Sequence, residues 1–75
     1  MRETLERQSP IVIVFTEDDC TTRADVVLDM GGHHFHCWGR ALRVGGDAPD
    51  DVEQVAAARA LACLAEELLD VHHPG

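Results

Sequence analysis

The spacing of apolar and polar residues divides the chain into three predicted strands and one helix. The run "IVIVFT", residues 11–16, is short and apolar on both faces, which predicts a strand. Residues 23–30 alternate between apolar and polar side chains, as in a strand with one buried face. Gly31 and Gly32 permit the positive φ angles of a two-residue hairpin. The segment "HHFHCWGRALRV" that follows should therefore return antiparallel to the strand before it.

The last third of the chain predicts one long helix, from about residue 51 to residue 71. The segment "AAARALACLAEELL" is dense in strong helix formers. Asp50 with Glu53, or Asp51 with Gln54, has the spacing of a capping box at the helix start. The apolar stripe expected to pack on the sheet consists of Ala57, Leu61, Leu64, Leu68 and Val71.

These elements predict a two-layer α+β domain at residues 11–73, after a polar tail at residues 1–10. A three-stranded antiparallel meander would be covered on one face by the helix. The side chains predicted to face the helix are Ile11, Ile13, Phe15, Ala24, Val26, Leu28, Met30, Phe35, Cys37 and Ala41.

The opposite face of the predicted sheet also carries large apolar side chains. They are Val12, Val14, Val27, Trp38 and Leu42. An exposed patch of this kind is unusual on a monomer, so we expect it to be a self-association surface of a homodimer. The alternatives are that the N-terminal tail of the same chain covers Trp38, or that the patch binds a ligand or another protein.

The charge balance argues against free nucleic acid as a partner. The chain has 14 acidic residues, 6 arginines and no lysine, a formal net charge of -8. Affinity for a phosphate backbone comes mainly from clustered basic residues. Arg23 and Arg40 are predicted on the outer sheet face among Asp25 and Asp29, where cross-strand ion pairs are the simpler interpretation and contact with ribosomal phosphate is the alternative.

The segment "HHFHC", residues 33–37, raises the question of a metal site. On a strand His34 and His36 share one face, while His33 and Cys37 share the other, so the strand alone cannot bring four ligands to one zinc ion. We interpret these histidines as sheet-surface residues, with His34 and His36 as weak candidates for a metal, and predict no cofactor.

The cysteines, the apolar segments and the recognisable motifs bear on the cellular compartment and on whether the protein is an enzyme. Three cysteines at wide spacing, Cys20, Cys37 and Cys63, favour reduced, buried or inert thiols over a disulfide framework. The start "MRETLERQSP" has no apolar segment of a signal peptide, and no run is long enough to span a bilayer. We therefore expect a cytoplasmic protein. No paired nucleophile and base or Gly-rich phosphate loop is recognisable, so we predict no enzyme and no catalytic residue.

Three blocks of the sequence resemble a small actinobacterial domain family of unknown function. They are "TEDDCTTRADVVL", "WGRALR" and "VAAARALACLAEELLD". The resemblance implies a β-β-β-α unit like a double-stranded-RNA-binding domain without its first helix, usually dimeric, with a fold similar to ribosome hibernation factors. Some members of that family belong to hypoxia and dormancy regulons, and no catalytic residues are established for it. Relatives have a glycine-rich third strand and a longer loop before the helix, so the histidines are a departure of this chain.

The leading hypothesis is a non-enzymatic dimeric protein of a stress or dormancy response that acts through protein contacts. The first alternative is a ribosome-associated hibernation-type factor, which the implied fold similarity supports. The second is adventitious or regulatory metal binding through the histidine-rich strand.

Overall fold

A computed structural model describes residues 3–72, which form one three-stranded antiparallel sheet and one helix. The elements are β1 (Val12–Glu17), β2 (Thr21–Met30), β3 (His33–Leu42) and α1 (Pro49–His72). The strand order is β1-β2-β3, so β2 is central and β1 and β3 are the edges. The predicted α+β meander with one C-terminal helix is confirmed. The helix is not long and apolar enough to cross a membrane, and no other helix occurs between residues 3 and 72.

Both tight turns follow from local chemistry. Asp18 closes the β1–β2 turn, because its Oδ1 accepts hydrogen bonds from the backbone N–H of Cys20 (3.0 Å) and Thr21 (2.8 Å). These two bonds hold the pKa of Asp18 below its ordinary value. In the β2–β3 turn, Gly31 and Gly32 have φ of 60° and 79°, as the hairpin prediction required.

The helix begins earlier than predicted, and the capping-box prediction is wrong. Its first residue is Pro49, whose fixed φ and missing N–H suit that position. The Ala48 carbonyl accepts from the N–H groups of Asp51 (3.1 Å) and Val52 (3.3 Å). Asp50 and Asp51 therefore lie inside the first turn, where their negative charge interacts favourably with the helix dipole.

The core lies between the helix and the two strands β2 and β3. In the register, residues at even positions of β2 lie opposite residues at odd positions of β3, and both sets face the helix. Six predicted core residues are buried there, as expected: Ala24, Val26, Leu28, Phe35, Cys37 and Ala41. The helix contributes Val52, Ala56, Ala60 and Leu64, with Ala57, Cys63 and Leu68 partly buried beside them.

Four residues predicted to lie beneath the helix are exposed instead: Ile11, Ile13, Phe15 and Met30. Ile13 pairs with Val26 and Phe15 with Ala24, so both do project from the helix side of the sheet. A helix is about 10 Å wide, and strands are spaced about 4.8 Å apart, so one helix covers about two strands. Because α1 packs on β2 and β3, β1 extends beyond it.

The predicted helix stripe was also partly wrong, since Leu61 and Val71 are exposed. Compared with the prediction, the helix is rotated about its own axis so that Ala56 and Ala60 face the sheet. The rotation is most of the roughly 100° that separates consecutive residues around a helix. Gly39 explains the rotation. A Cβ built on Gly39 would lie 2.5 Å from the backbone nitrogen of Ala60, so the helix backbone can lie this close to the strand because Gly39 has no side chain. Small residues on both elements thus decide which helix face is buried.

Candidate interaction surfaces

Strand β1 is apolar on both faces and exposed along its whole length. On the helix side, Ile13 and Phe15 keep 37% and 40% of their surface accessible. On the opposite side, Val12 and Val14 keep 55% and 52%. Only one edge of β1 is paired within residues 3–72, and its partner is β2. An apolar edge strand of this kind is a template for pairing with another chain.

The predicted outer patch is laid out in cross-strand rows. Val12 lies opposite Val27, and Val14 lies in one row with Asp25 and Trp38. Val12, Val14 and Val27 are adjacent on one face, whereas Asp25 lies between Val14 and Trp38; nearly half of the Trp38 surface is accessible (48%). Leu42 is separate, because the row that contains Arg23 and Arg40 lies between it and Trp38. The structure therefore brings the three valines together on the outer face, with Trp38 on the far side of Asp25 and Leu42 farther away.

A polar network crosses this outer face next to Trp38. The Arg23 side chain donates to both carboxylate oxygens of Asp25, with Nε–Oδ2 at 3.1 Å and Nη2–Oδ1 at 3.0 Å. His36 Nε2 lies 2.9 Å from the same Oδ1. These hydrogen bonds, from Arg23 first and then His36, hold the pKa of Asp25 below its ordinary value. Asp25 is thus the centre of a charged network beside the apolar patch.

Both arginines of the proposed anion contact also interact with Trp38. The guanidinium carbon of Arg23 lies 4.5 Å from the Trp38 ring centroid, and that of Arg40 lies 5.9 Å away. The ion-pair partner of Arg23 is Asp25, two residues along the same strand, rather than a residue across the sheet. Stacking and ion pairing therefore account for Arg23 without an external phosphate.

The two candidate metal-binding histidines each contact a different carboxylate. His34 Nδ1 lies 2.6 Å from Asp29 Oδ1, whereas His36 is bonded to Asp25. His33 is on the helix side, with its ring 5.9 Å from that of Phe35. Between residues 3 and 72, the groups close enough to share a metal ion include none of these histidines.

A thiol pair connects the sheet to the helix, and no pattern in the sequence predicted it. Cys37 on β3 is buried, and Cys63 on α1 is partly buried. The Cys63 thiol donates to Cys37 Sγ, with the sulfur atoms 2.7 Å apart. Burial first, and then the neighbouring Cys63 and Glu67, raise the pKa of Cys37 to about 12. Together with Glu67, these cysteines are the groups in the described residues that lie close enough to hold a metal ion.

The solvent side of α1 is apolar as well. The exposed residues Val55, Ala58, Ala62, Ala65 and Leu69 are spaced alternately three and four residues apart. This spacing places them along one line of the helix, opposite the buried alanines. The helix is therefore apolar on both sides, which the stripe predicted from the sequence did not reveal.

Comparisons with known proteins give the same architecture. The Rv2632c-like family model matches residues 7–74. The solved structure described as "Crystal Structure of Rv2632c" is 29% identical, with a TM-score of 0.82, and the match covers 95% of this chain and 87% of that chain. No curated protein matches the chain. The β-β-β-α fold and the small actinobacterial family of unknown function inferred from the sequence are thereby confirmed. The chain belongs to the Rv2632c-like family, whose function is uncharacterised.

Proposed function

We propose that this protein is a non-enzymatic homodimer that acts through protein contacts in the cytoplasm, as part of a stress or dormancy response. The observation that carries the proposal is the exposure of β1 on both faces and along one edge. The stress or dormancy setting rests on the family resemblance. The homodimer rests on the chemistry of β1.

In the proposed dimer, the free edge of β1 pairs antiparallel with β1 of a second copy. Antiparallel pairing of two identical strands obeys two-fold symmetry, so one surface serves both partners. The two three-stranded sheets then form one continuous sheet, and the apolar residues of both β1 strands become cross-strand neighbours. The other edge is less suited to pairing, since Arg59 Nη1 already donates to the Arg40 carbonyl of β3 at 2.7 Å.

The side chains of β1 supply a driving force of a suitable size. Four apolar side chains of β1 each keep between about a third and somewhat more than a half of their surface accessible: Val12, Ile13, Val14 and Phe15. Burying the remainder of each would contribute about 1 kcal/mol, or about 8 kcal/mol for two copies. That figure is comparable with the roughly 4–15 kcal/mol that association costs in lost freedom. The new hydrogen bonds between the two β1 strands have to supply the rest of the binding free energy.

Sedimentation equilibrium tests the dimer and its location together. The wild type should be a dimer at about 100 µM, a concentration at which a complex with a dissociation constant of about 10 µM or tighter is mostly formed. Val14→Asp places a charge in β1 and should weaken the dimer by at least about 100-fold, because the carboxylate would be desolvated without a partner. Val44→Asp is the matched control, since Val44 is the same residue type and is also exposed but lies in the loop after β3. It should leave the dimer unchanged.

Further variants separate β1 from the other apolar surfaces. Trp38→Asp tests stacking through the outer sheet face, and Leu69→Asp tests the exposed side of α1. A wild type that stays monomeric refutes the homodimer. A dimer that tolerates Val14→Asp and dissociates with Leu69→Asp refutes pairing through β1 and moves the interface to the helix. Circular dichroism of each variant checks that the fold is retained.

A further inference from the structure

The close approach of α1 to β3 places two thiols in contact. Gly39 admits the helix backbone at Ala56 and Ala60, and the elements remain close along their length. Cys37 precedes Gly39 by two residues on β3, and Cys63 follows Ala60 by three residues on α1. Their sulfur atoms are 2.7 Å apart, whereas a disulfide bond is about 2.05 Å long, so they need to approach by less than about 1 Å.

We propose that Cys37 and Cys63 are a reversible oxidation site, which a low-molecular-weight disulfide converts to an internal disulfide between the sheet and the helix. This proposal is independent of the dimer. It also departs from the interpretation of the cysteines as inert, which rested on their wide spacing in the sequence.

The two cysteines differ in access, and this difference sets the order of steps. Cys63 is partly accessible, while Cys37 is only 3% exposed. The Cys63 thiolate attacks one sulfur of the small disulfide, which breaks the S–S bond and releases one small thiolate. Cys37 then attacks Cys63 Sγ in the mixed disulfide and displaces the second small thiolate, which takes up the Cys37 proton. Two protein thiols and one small disulfide thus become one protein disulfide and two small thiols.

The buried position of Cys37 makes the second step the slower one. Its pKa of about 12 means that the thiol stays protonated until the leaving thiolate accepts its proton. The internal disulfide is therefore expected to form slowly, during sustained rather than brief exposure to a small disulfide.

The internal disulfide should stabilise the domain. It would link β3 to α1 across residues 38–62, which include the loop before the helix. Closing a loop of this length restricts the unfolded chain, which for a domain of this size raises the melting temperature on the order of 10 °C.

Cys20 provides an internal comparison, because it is exposed in the β1–β2 turn and belongs to no thiol pair in the described residues. Oxidised glutathione should therefore leave Cys20 as a mixed disulfide and convert Cys37 and Cys63 to the internal bridge. Cys20→Ser removes the first reaction and leaves a protein with one possible bridge.

The experiment treats Cys20→Ser protein with oxidised glutathione and follows intact mass and thermal melting. We expect the mass to fall by two hydrogen atoms, the melting temperature to rise and dithiothreitol to reverse both. Adding Cys63→Ser should abolish both changes, and Cys37→Ala should instead leave a stable mixed disulfide at Cys63. A stable mixed disulfide in the protein that retains both cysteines overturns the proposal. The proposal is also overturned if, after zinc is added, Cys37, Cys63 and Glu67 retain the metal and the bound metal blocks oxidation.

Discussion

Replacing Gly39 with alanine should destabilise the domain more than any other single added methyl group we can identify. The new Cβ would lie 2.5 Å from Ala60 N, 2.7 Å from Ala56 O and 2.7 Å from Arg59 Cβ. Two of these three atoms belong to the helix backbone, which cannot rotate away as a side chain can. The helix must move away from β3, and the contacts of the buried alanines are lost with it.

The size of the effect follows from two opposing contributions. Overpacking of this kind costs about 1–3 kcal/mol, and the clash with backbone places Gly39→Ala at the upper end. Alanine restricts the backbone of the unfolded chain more than glycine does, which recovers about 0.5–1 kcal/mol of stability. The net loss should be about 2 kcal/mol, a large fraction of the stability of a small domain. The melting temperature should fall on the order of 10 °C.

Gly45→Ala is the matched control, because a Cβ there meets nothing within 4 Å and Gly45 does not have a positive φ. Urea unfolding of both variants, at one protein concentration, gives the comparison. Gly39→Ala should also slow formation of the Cys37–Cys63 bridge, since it separates the two elements. If the two alanine variants unfold within about 0.5 kcal/mol of each other, the helix does not approach β3 as closely as described.

Two further predictions concern charge. The pKa of Asp25 is lowered by the hydrogen bonds from Arg23 and His36, so its stabilising contribution is present above the ordinary value of 3.8 and is lost as the pH falls below it. In urea titrations, the difference in free energy of unfolding between wild type and Asp25→Asn should therefore decrease from about pH 6 to about pH 3. A difference that does not change with pH would contradict the network. With a net charge of -8 and no lysine, the protein should not bind duplex DNA or RNA more tightly than about 1 µM at 150 mM salt. Tighter binding in a gel-shift titration would favour the ribosome-associated alternative.

Local chemistry in the sequence determined the elements and their order. Alternation predicted β2 and β3, and Gly31 and Gly32 predicted the hairpin between them, because both signals depend only on neighbouring residues. The outward direction of Val14 and Trp38 followed from the same alternation once the hairpin was placed. The family resemblance rested on sequence blocks that the comparison then confirmed.

The tertiary structure alone decided where the helix lies and which of its faces is buried. The sequence pattern predicted that Leu61 and Val71 face the sheet, but the close approach at Gly39 brings Ala56 and Ala60 there instead. Contact between backbones is invisible to a hydrophobic pattern, which counts side chains. The same close approach brings Cys37 to Cys63 across 26 positions of sequence, and the position of the helix over β2 and β3 leaves β1 uncovered. Both candidate sites thus depend on a packing geometry that no local segment specifies.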